Sequence, residues 1–109
     1  MDIALKSAVL SQLKNGKANA ITGKLLAQRL NERDTRQIRL AIEELIRDGY
    51  PICSSPHKPY GYFIAENVGE ITEALRVLRY GYGMEIFRHY KYLKLAGHKS
   101  FSGQLVLKL

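Results

Sequence analysis

The chain has 109 residues, a length that fits one domain of ordinary size with a short extension and excludes two independent catalytic domains. Hydrophobic residues make up 46% of it and charged residues 25%, the balance of a folded protein rather than a disordered one. No apolar run is long enough to span a membrane and no signal peptide is recognisable, so we expect a soluble, cytoplasmic protein. The single Cys53 cannot form an internal disulfide, which fits a reducing compartment.

The net charge is the most informative part of the composition. The 17 Lys and Arg residues against 10 Asp and Glu residues give +7, which favours a polyanionic partner. This charge is unevenly distributed, because residues 1–73 hold ten basic and nine acidic residues whereas residues 74–109 hold seven basic and one acidic. The last third of the chain therefore supplies most of the net field.

Three helices are predicted within the first fifty residues. The first runs from about Ile3 to Leu13 and is stopped by Asn15-Gly16. A bridge-like strand at 20–21 precedes Thr22, a good N-cap for a second helix that extends to Leu30.

A polar turn over residues 31–34 leads to the third helix, which begins near Asp34 or Thr35 and ends at Asp48-Gly49 with glycine at the C′ position. Its apolar residues share one face, as the helical period requires. They are Ile38, Ala41, Ile42, Leu45 and Ile46.

The hydrophobic period then changes from helical to extended. Residues 50–54 and 60–65 read as two strands of a hairpin, and the loop over residues 55–59 contains two prolines and the basic pair His57-Lys58. Together these elements predict a mostly α fold with a small β-hairpin wing.

A long helix is expected after the hairpin, with Glu70 and Glu73 in its first turn. At about 100° per residue, one continuous helix of roughly 26 residues places its apolar side chains on a single stripe. The stripe contains Ile71, Leu75, Leu78, Tyr82, Ile86, His89, Leu93 and Ala96. Gly81 and Gly83 leave open a kink or a break into two helices.

Such a helix is too long for a small domain to cover, so we expect residues 71–96 to form a homodimer. The opposite face carries basic and aromatic residues, a composition that also suits nucleic acid. These are Arg76, Tyr80, Phe87, Lys91 and Lys94. The predicted organisation is a winged helix-turn-helix over residues 1–66, the helix over 67–96 and a flexible tail over 97–109.

The residues themselves resemble a known family. The segments at 22–30 (TGKLLAQRL), 35–45 (TRQIRLAIEEL), 48–52 (DGYPI) and 61–63 (GYF) are similar to the winged helix of the biotin-operon repressor type, over about residues 5–65. The resemblance implies a three-helix fold with a wing and double-stranded DNA as the usual partner.

In such a fold the third helix enters the major groove and the wing meets the DNA backbone or the minor groove. Arg36, Gln37 and Arg39 suit base edges and phosphates near the start of that helix, with Thr35 and Leu40 beside them. The candidates for backbone contact are Lys24, Arg33, His57 and Lys58.

Glu43 departs from this pattern, because it lies at i,i+4 spacing from both Arg39 and Arg47 and could neutralise the reading face. A winged helix used mainly as a protein-binding scaffold is therefore the alternative.

The last six residues resemble the hexapeptide form of the bacterial sliding-clamp-binding motif, Gln-Leu-x-Leu-x-Leu, and follow a glycine-containing linker. In that motif an extended peptide presents its glutamine to a polar subsite and its leucines to an apolar groove. The matching residues are Gln104, Leu105, Leu107 and Leu109. The same alternation is compatible with a last β-strand.

Catalysis finds little support, since the three histidines and Cys53 form no metal-ligand or nucleophile spacing and no phosphate-binding glycine loop is present. We therefore expect a non-enzymatic protein without cofactor or metal. The favoured interpretation is a dimeric, phage- or mobile-element-related DNA-binding protein of replication or transcription, tethered to the clamp by its tail. The alternatives are an interaction protein that recruits or blocks replication proteins, and an ordinary dimeric repressor.

Overall fold

The computed structural model describes residues 3–55, 58–79 and 91–97. The secondary-structure elements follow one another in the order that the sequence predicts. They are α1 (Ile3–Gln12), a 3₁₀ turn (Lys17–Asn19), α2 (Gly23–Arg29), α3 (Arg36–Arg47), β1 (Ile52–Ser55), β2 (Gly61–Ile64) and α4 (Val68–Arg79). Residues 91–97 are also helical. The mostly helical fold with an antiparallel hairpin confirms the predicted winged helix-turn-helix class.

The end of α3 shows how local sequence determines an element boundary. Gly49 has a φ of 107°, a conformation that a side chain disfavours. Its N–H donates to the carbonyl of Ile46 at 3.0 Å, and the N–H of Tyr50 donates to the carbonyl of Leu45 at 3.1 Å. These two bonds form a Schellman motif, which satisfies the last carbonyls of the helix.

The wing is wider than a two-stranded hairpin. β1 and β2 are antiparallel with Ile52 opposite Ile64, and on the other side of β2 the backbones of Ile21 and Tyr62 exchange hydrogen bonds of 2.9 and 2.7 Å. This contact confirms the predicted bridge-like strand. Gly61 has a φ of 124°, and a Cβ on it would collide with the carbonyl of Ile21. Glycine is therefore required where β2 crosses the entrance to α2.

One hydrophobic core joins the helices to the wing. Val9 of α1, Leu26 of α2, Ile38 of α3 and Ile52 of β1 are all essentially inaccessible to solvent and belong to the same cluster. The apolar stripe predicted for α3 is buried throughout, which confirms its orientation. The outward side of α3 is thereby fixed.

The continuous helix predicted over residues 71–96 is not supported. The described part of α4 ends at Arg79, and residues 80–90 lie outside the described residues. Ile71 of α4 and Leu93 of the second segment are both packed into the core of the winged domain, at 0% and 2% exposure. Ile71 and Leu93 of the predicted stripe therefore both pack against this chain's own core.

Candidate nucleic-acid interface

Local side-chain hydrogen bonds shape the α2–turn–α3 unit. The Oγ1 of Thr22 accepts a hydrogen bond from the N–H of Leu25 at 3.1 Å, as predicted for an N-cap. Asn31 adopts a left-handed φ of 57° in the turn. Asp34 then accepts a 2.9 Å bond from the N–H of Arg36, which orients the first turn of α3. These local bonds define the start of α2 and the turn that leads into α3.

The predicted DNA-contacting residues of α2, the turn and α3 all lie on the surface. We call this set the reading surface: Lys24, Arg33, Thr35, Arg36, Gln37, Arg39 and Leu40. Lys58 near the hairpin tip is exposed as well, whereas His57 lies outside the described residues. The unit supplies four cations and one apolar side chain for contact with a partner, since Leu40 keeps 36% of its surface accessible.

Tyr62 of the wing lies against the start of α2 and within the electrostatic influence of α3. Burial raises the pKa of the Tyr62 hydroxyl, the positive charge of Arg39 lowers that pKa and the negative charge of Glu43 raises it. The phenol is therefore within electrostatic reach of both α3 side chains. Its ring also lies over Gly23 at the start of α2, where an added Cβ would be 3.4 Å from the Tyr62 Cε2 atom. Tyr62 thus connects the wing to both helices of the helix-turn-helix.

The outward side of α3 ends at a contact with the C-terminal segment. Arg47 lies eleven residues after Arg36, which places it within about 20° of Arg36 around the helix axis. The guanidinium carbon of Arg47 is 5.2 Å from the centroid of the Tyr92 ring, a cation–π arrangement. The predicted pairing of Arg39 and Arg47 with Glu43 stays a prediction.

Three ion pairs of the described residues lie away from the reading surface. Lys6 of α1 pairs with Asp48 at 2.6 Å and approaches Glu44 at 3.9 Å, and Lys17 pairs with Glu73 at 3.1 Å. Lys6 and Lys17 supply the cation in each of these pairs. The cations of the reading surface take part in none of them.

A second polar contact joins the 3₁₀ turn to α4. The Glu70 carboxylate accepts hydrogen bonds from the N–H of Lys17 at 2.8 Å and of Glu66 at 3.0 Å, while the Asn67 side chain accepts from the N–H of Glu70 at 2.9 Å. We call Lys17, Glu70 and Glu73 the support cluster. It fixes the start of α4 against the loop before α2.

The remaining candidates for chemistry do not assemble into a site within the described residues. Cys53 is buried, and this burial raises the pKa of its thiol to about 12, so the thiol is a poor nucleophile. No group of three or more His, Cys, Asp or Glu side chains in the described part is arranged to hold a metal ion. None of the helices described combines the length and hydropathy of a membrane span.

The comparison with protein families identifies the family to which this domain belongs. The helix-turn-helix family described as "HTH domain" matches residues 6–63. The chain belongs to this HTH domain family. The match runs from within α1 to within β2 and supports a DNA-binding helix-turn-helix protein. No curated protein and no solved structure matches the chain.

Three residues of the interface and its support escaped the sequence analysis. Tyr62 lies in the predicted wing strand, but its position beside Arg39 depends on how the wing folds back. Tyr92 was placed in the expected long helix, and no signal connected it to α3. Glu70 was assigned only to the helix dipole, although its carboxylate binds a backbone N–H 53 residues away in sequence.

Proposed function

We propose that this protein binds double-stranded DNA by placing the start of α3 in the major groove. The observation that carries the proposal is the cluster of exposed cations around the first turn of α3, in a helix-turn-helix domain. Cations left in water retain their attraction for phosphates, and binding releases the condensed counterions of the DNA. An exposed, outward-facing helix start also suits insertion into a groove.

Each residue type on the reading surface and the hairpin tip suits a different part of the duplex. Arg36 and Arg39 can donate two parallel hydrogen bonds to a guanine, and Gln37 can pair with an adenine. Lys24, Arg33 and Lys58 suit phosphates, whose contacts position the protein without reading sequence. Thr35 and His57 are assigned to the same interface on sequence alone.

A salt titration with a double variant tests this proposal. Duplex affinity of the wild-type protein should fall steeply between about 50 and 200 mM salt, because several phosphate contacts release counterions. The Arg36→Ala/Arg39→Ala variant should lose discrimination between a site selected from random duplexes and an unrelated duplex, by about 10-fold to 100-fold. Fluorescence anisotropy measures both quantities.

Arg29→Ala is the matched control, because the Arg29 guanidinium bonds the Gln12 side chain of α1 at 3.3 Å instead of facing the reading surface. Duplex binding that is absent or insensitive to salt would contradict the proposal and favour a winged helix that binds protein. If the double variant discriminates between the selected and the unrelated duplex as well as the wild type does, residues other than Arg36 and Arg39 read the sequence.

A clamp-binding role of the tail is a separate proposal and depends on the sequence motif alone. Gln104, Leu105, Leu107 and Leu109 lie outside the described residues. A pull-down with a bacterial sliding clamp should retain the full-length protein and lose it on Gln104→Ala or Leu107→Ala. Val106→Ala and Lys108→Ala change the variable positions of the motif and are the matched controls. Retention of all four variants would leave the tail as a strand or an inert extension.

Three further predictions have only sequence support. They are the absence of enzymatic activity, a relation to phages or mobile elements, and the homodimer through residues 71–96. A clamp interaction would favour a role in replication over an ordinary repressor. Clamp binding without duplex binding would instead favour an interaction protein that recruits or blocks replication proteins.

A further inference from the structure

The helical segment 91–97 lies outside the residues that match the HTH domain family, yet it contacts the helix of the reading surface. Leu93 and Ala96 of this segment are almost completely buried, and Leu93 belongs to the hydrophobic core. The Tyr92 ring lies against the guanidinium of Arg47. The segment is therefore held at the C-terminal end of α3 by both apolar and polar contacts.

The contact with Arg47 determines which side of the segment faces the reading surface. Arg47 shares the outward side of α3 with Arg36, so Tyr92 marks the flank nearest to that side. At about 100° per residue, Lys91 lies about 160° around the axis from the buried Leu93 and about 100° from Tyr92, on the outward side of the segment. Lys94 lies about 60° from Lys91 and about 160° from Tyr92, closer than Lys91 to the buried side. Lys91 is exposed and Lys94 is half-buried, in agreement with this placement.

We propose that Lys91 is a phosphate-contacting residue that extends the DNA interface beyond the helix-turn-helix domain. The ligand is the backbone of the duplex next to the base pairs that α3 occupies, so this inference rests on the proposed function. Charge complementarity supports it, because residues 74–109 carry seven basic residues and one acidic residue. The cation–π contact of Tyr92 with Arg47 fixes the segment so that Lys91 adds to the field of Arg47.

The test compares lysine variants of equal charge change. Lys91→Gln should make the plot of log affinity against log salt shallower by about one unit, since each phosphate contact contributes a slope of about −0.9. The ratio of wild-type affinity to Lys91→Gln affinity should therefore fall about threefold between 50 and 200 mM salt. Lys91→Arg retains the cation and should keep the wild-type slope. The probe is a random-sequence duplex of about 20 base pairs, because phosphate contacts are independent of sequence.

A matched control separates a contact from a general loss of charge. Lys14→Gln alters an exposed lysine whose carbonyl accepts from the N–H of Ile64, at the end of β2 opposite the hairpin tip. This control should keep the wild-type slope.

The possible results are distinct. A Lys91→Gln slope equal to that of wild type, or an equal reduction in Lys91→Gln and Lys14→Gln, overturns the inference and leaves the proposed function intact. Wild-type protein that shows no salt-dependent duplex binding overturns both. Circular dichroism of each variant checks that the fold is retained, and a Lys91→Gln variant that fails this check is replaced by Lys91→Ala and Lys91→Met.

Discussion

The reading surface and the support cluster use the same residue types for different purposes. In the support cluster Lys17 is bound to Glu73, and Glu70 accepts two backbone N–H bonds. On the reading surface Lys24, Arg33 and Arg36 extend into solvent. The charges of the support cluster are paired within the protein, whereas these three cations of the reading surface are exposed and can contact a partner.

This difference changes the meaning of the net charge. A total of +7 counts every lysine alike, although Lys6 and Lys17 are compensated by neighbouring carboxylates. The attraction for DNA depends on the uncompensated cations and on where they lie. Among the acidic residues of this region, Glu44, Asp48, Glu70 and Glu73 take part in contacts away from the reading surface. Asp34 and Glu43 lie beside it.

The comparison predicts that variants of the support cluster lower stability, whereas variants of the reading surface lower duplex affinity. The largest effect on stability is expected at Glu70. Glu70→Ala should lower the free energy of unfolding by about 1–3 kcal/mol, because it leaves the N–H groups of Lys17 and Glu66 without their acceptor. Urea unfolding followed by circular dichroism measures this change. Duplex affinity at a temperature where the variant is folded should be unchanged.

Glu73→Ala is the control for Glu70→Ala. It removes a partly exposed ion pair with Lys17 and should cost less than about 1 kcal/mol. Equal costs for the two variants would contradict a special role of the Glu70 carboxylate. A large loss of duplex affinity in folded Glu70→Ala would show that the two regions are not independent.

Elements with a local cause could be predicted from the sequence. The N-cap at Thr22 and the left-handed Gly49 depend on residues within one helical turn, and both have the expected geometry. The buried face of α3 follows from its period, which also fixes the outward side. For this reason the fold class and the exposure of the reading surface could be predicted from the sequence.

Contacts between distant segments could not be predicted in the same way. The stripe that starts at Ile71 is compatible both with one long helix and with two helices packed on one core, since Ile71 and Leu93 are buried in either arrangement. Periodicity alone does not choose between them. The Arg47–Tyr92 contact requires the chain to return to α3, and sequence spacing carries no information about that return.

The smallest predicted effect concerns the apolar member of the reading surface. Leu40 lies within about 40° of Arg36 around the axis of α3 and is 36% exposed, whereas the other apolar side chains of α3 are buried. An apolar side chain in the major groove can contact the 5-methyl group of thymine. We therefore expect Leu40 to favour a thymine near the base that Arg36 contacts.

Replacing single thymines by deoxyuridine in the selected site removes this methyl group without changing base pairing. At the position that Leu40 contacts, the substitution should weaken wild-type binding about fourfold. This factor corresponds to the roughly 0.8 kcal/mol that burial of one methylene-sized group contributes. Leu40→Ala should bind both duplexes equally, because it has already lost the contact. If no thymine shows this difference, Leu40 is an isolated exposed leucine without a role in reading, and specificity depends on the polar residues of α3 alone. A difference that persists in Leu40→Ala would assign the methyl contact to another side chain of the reading surface.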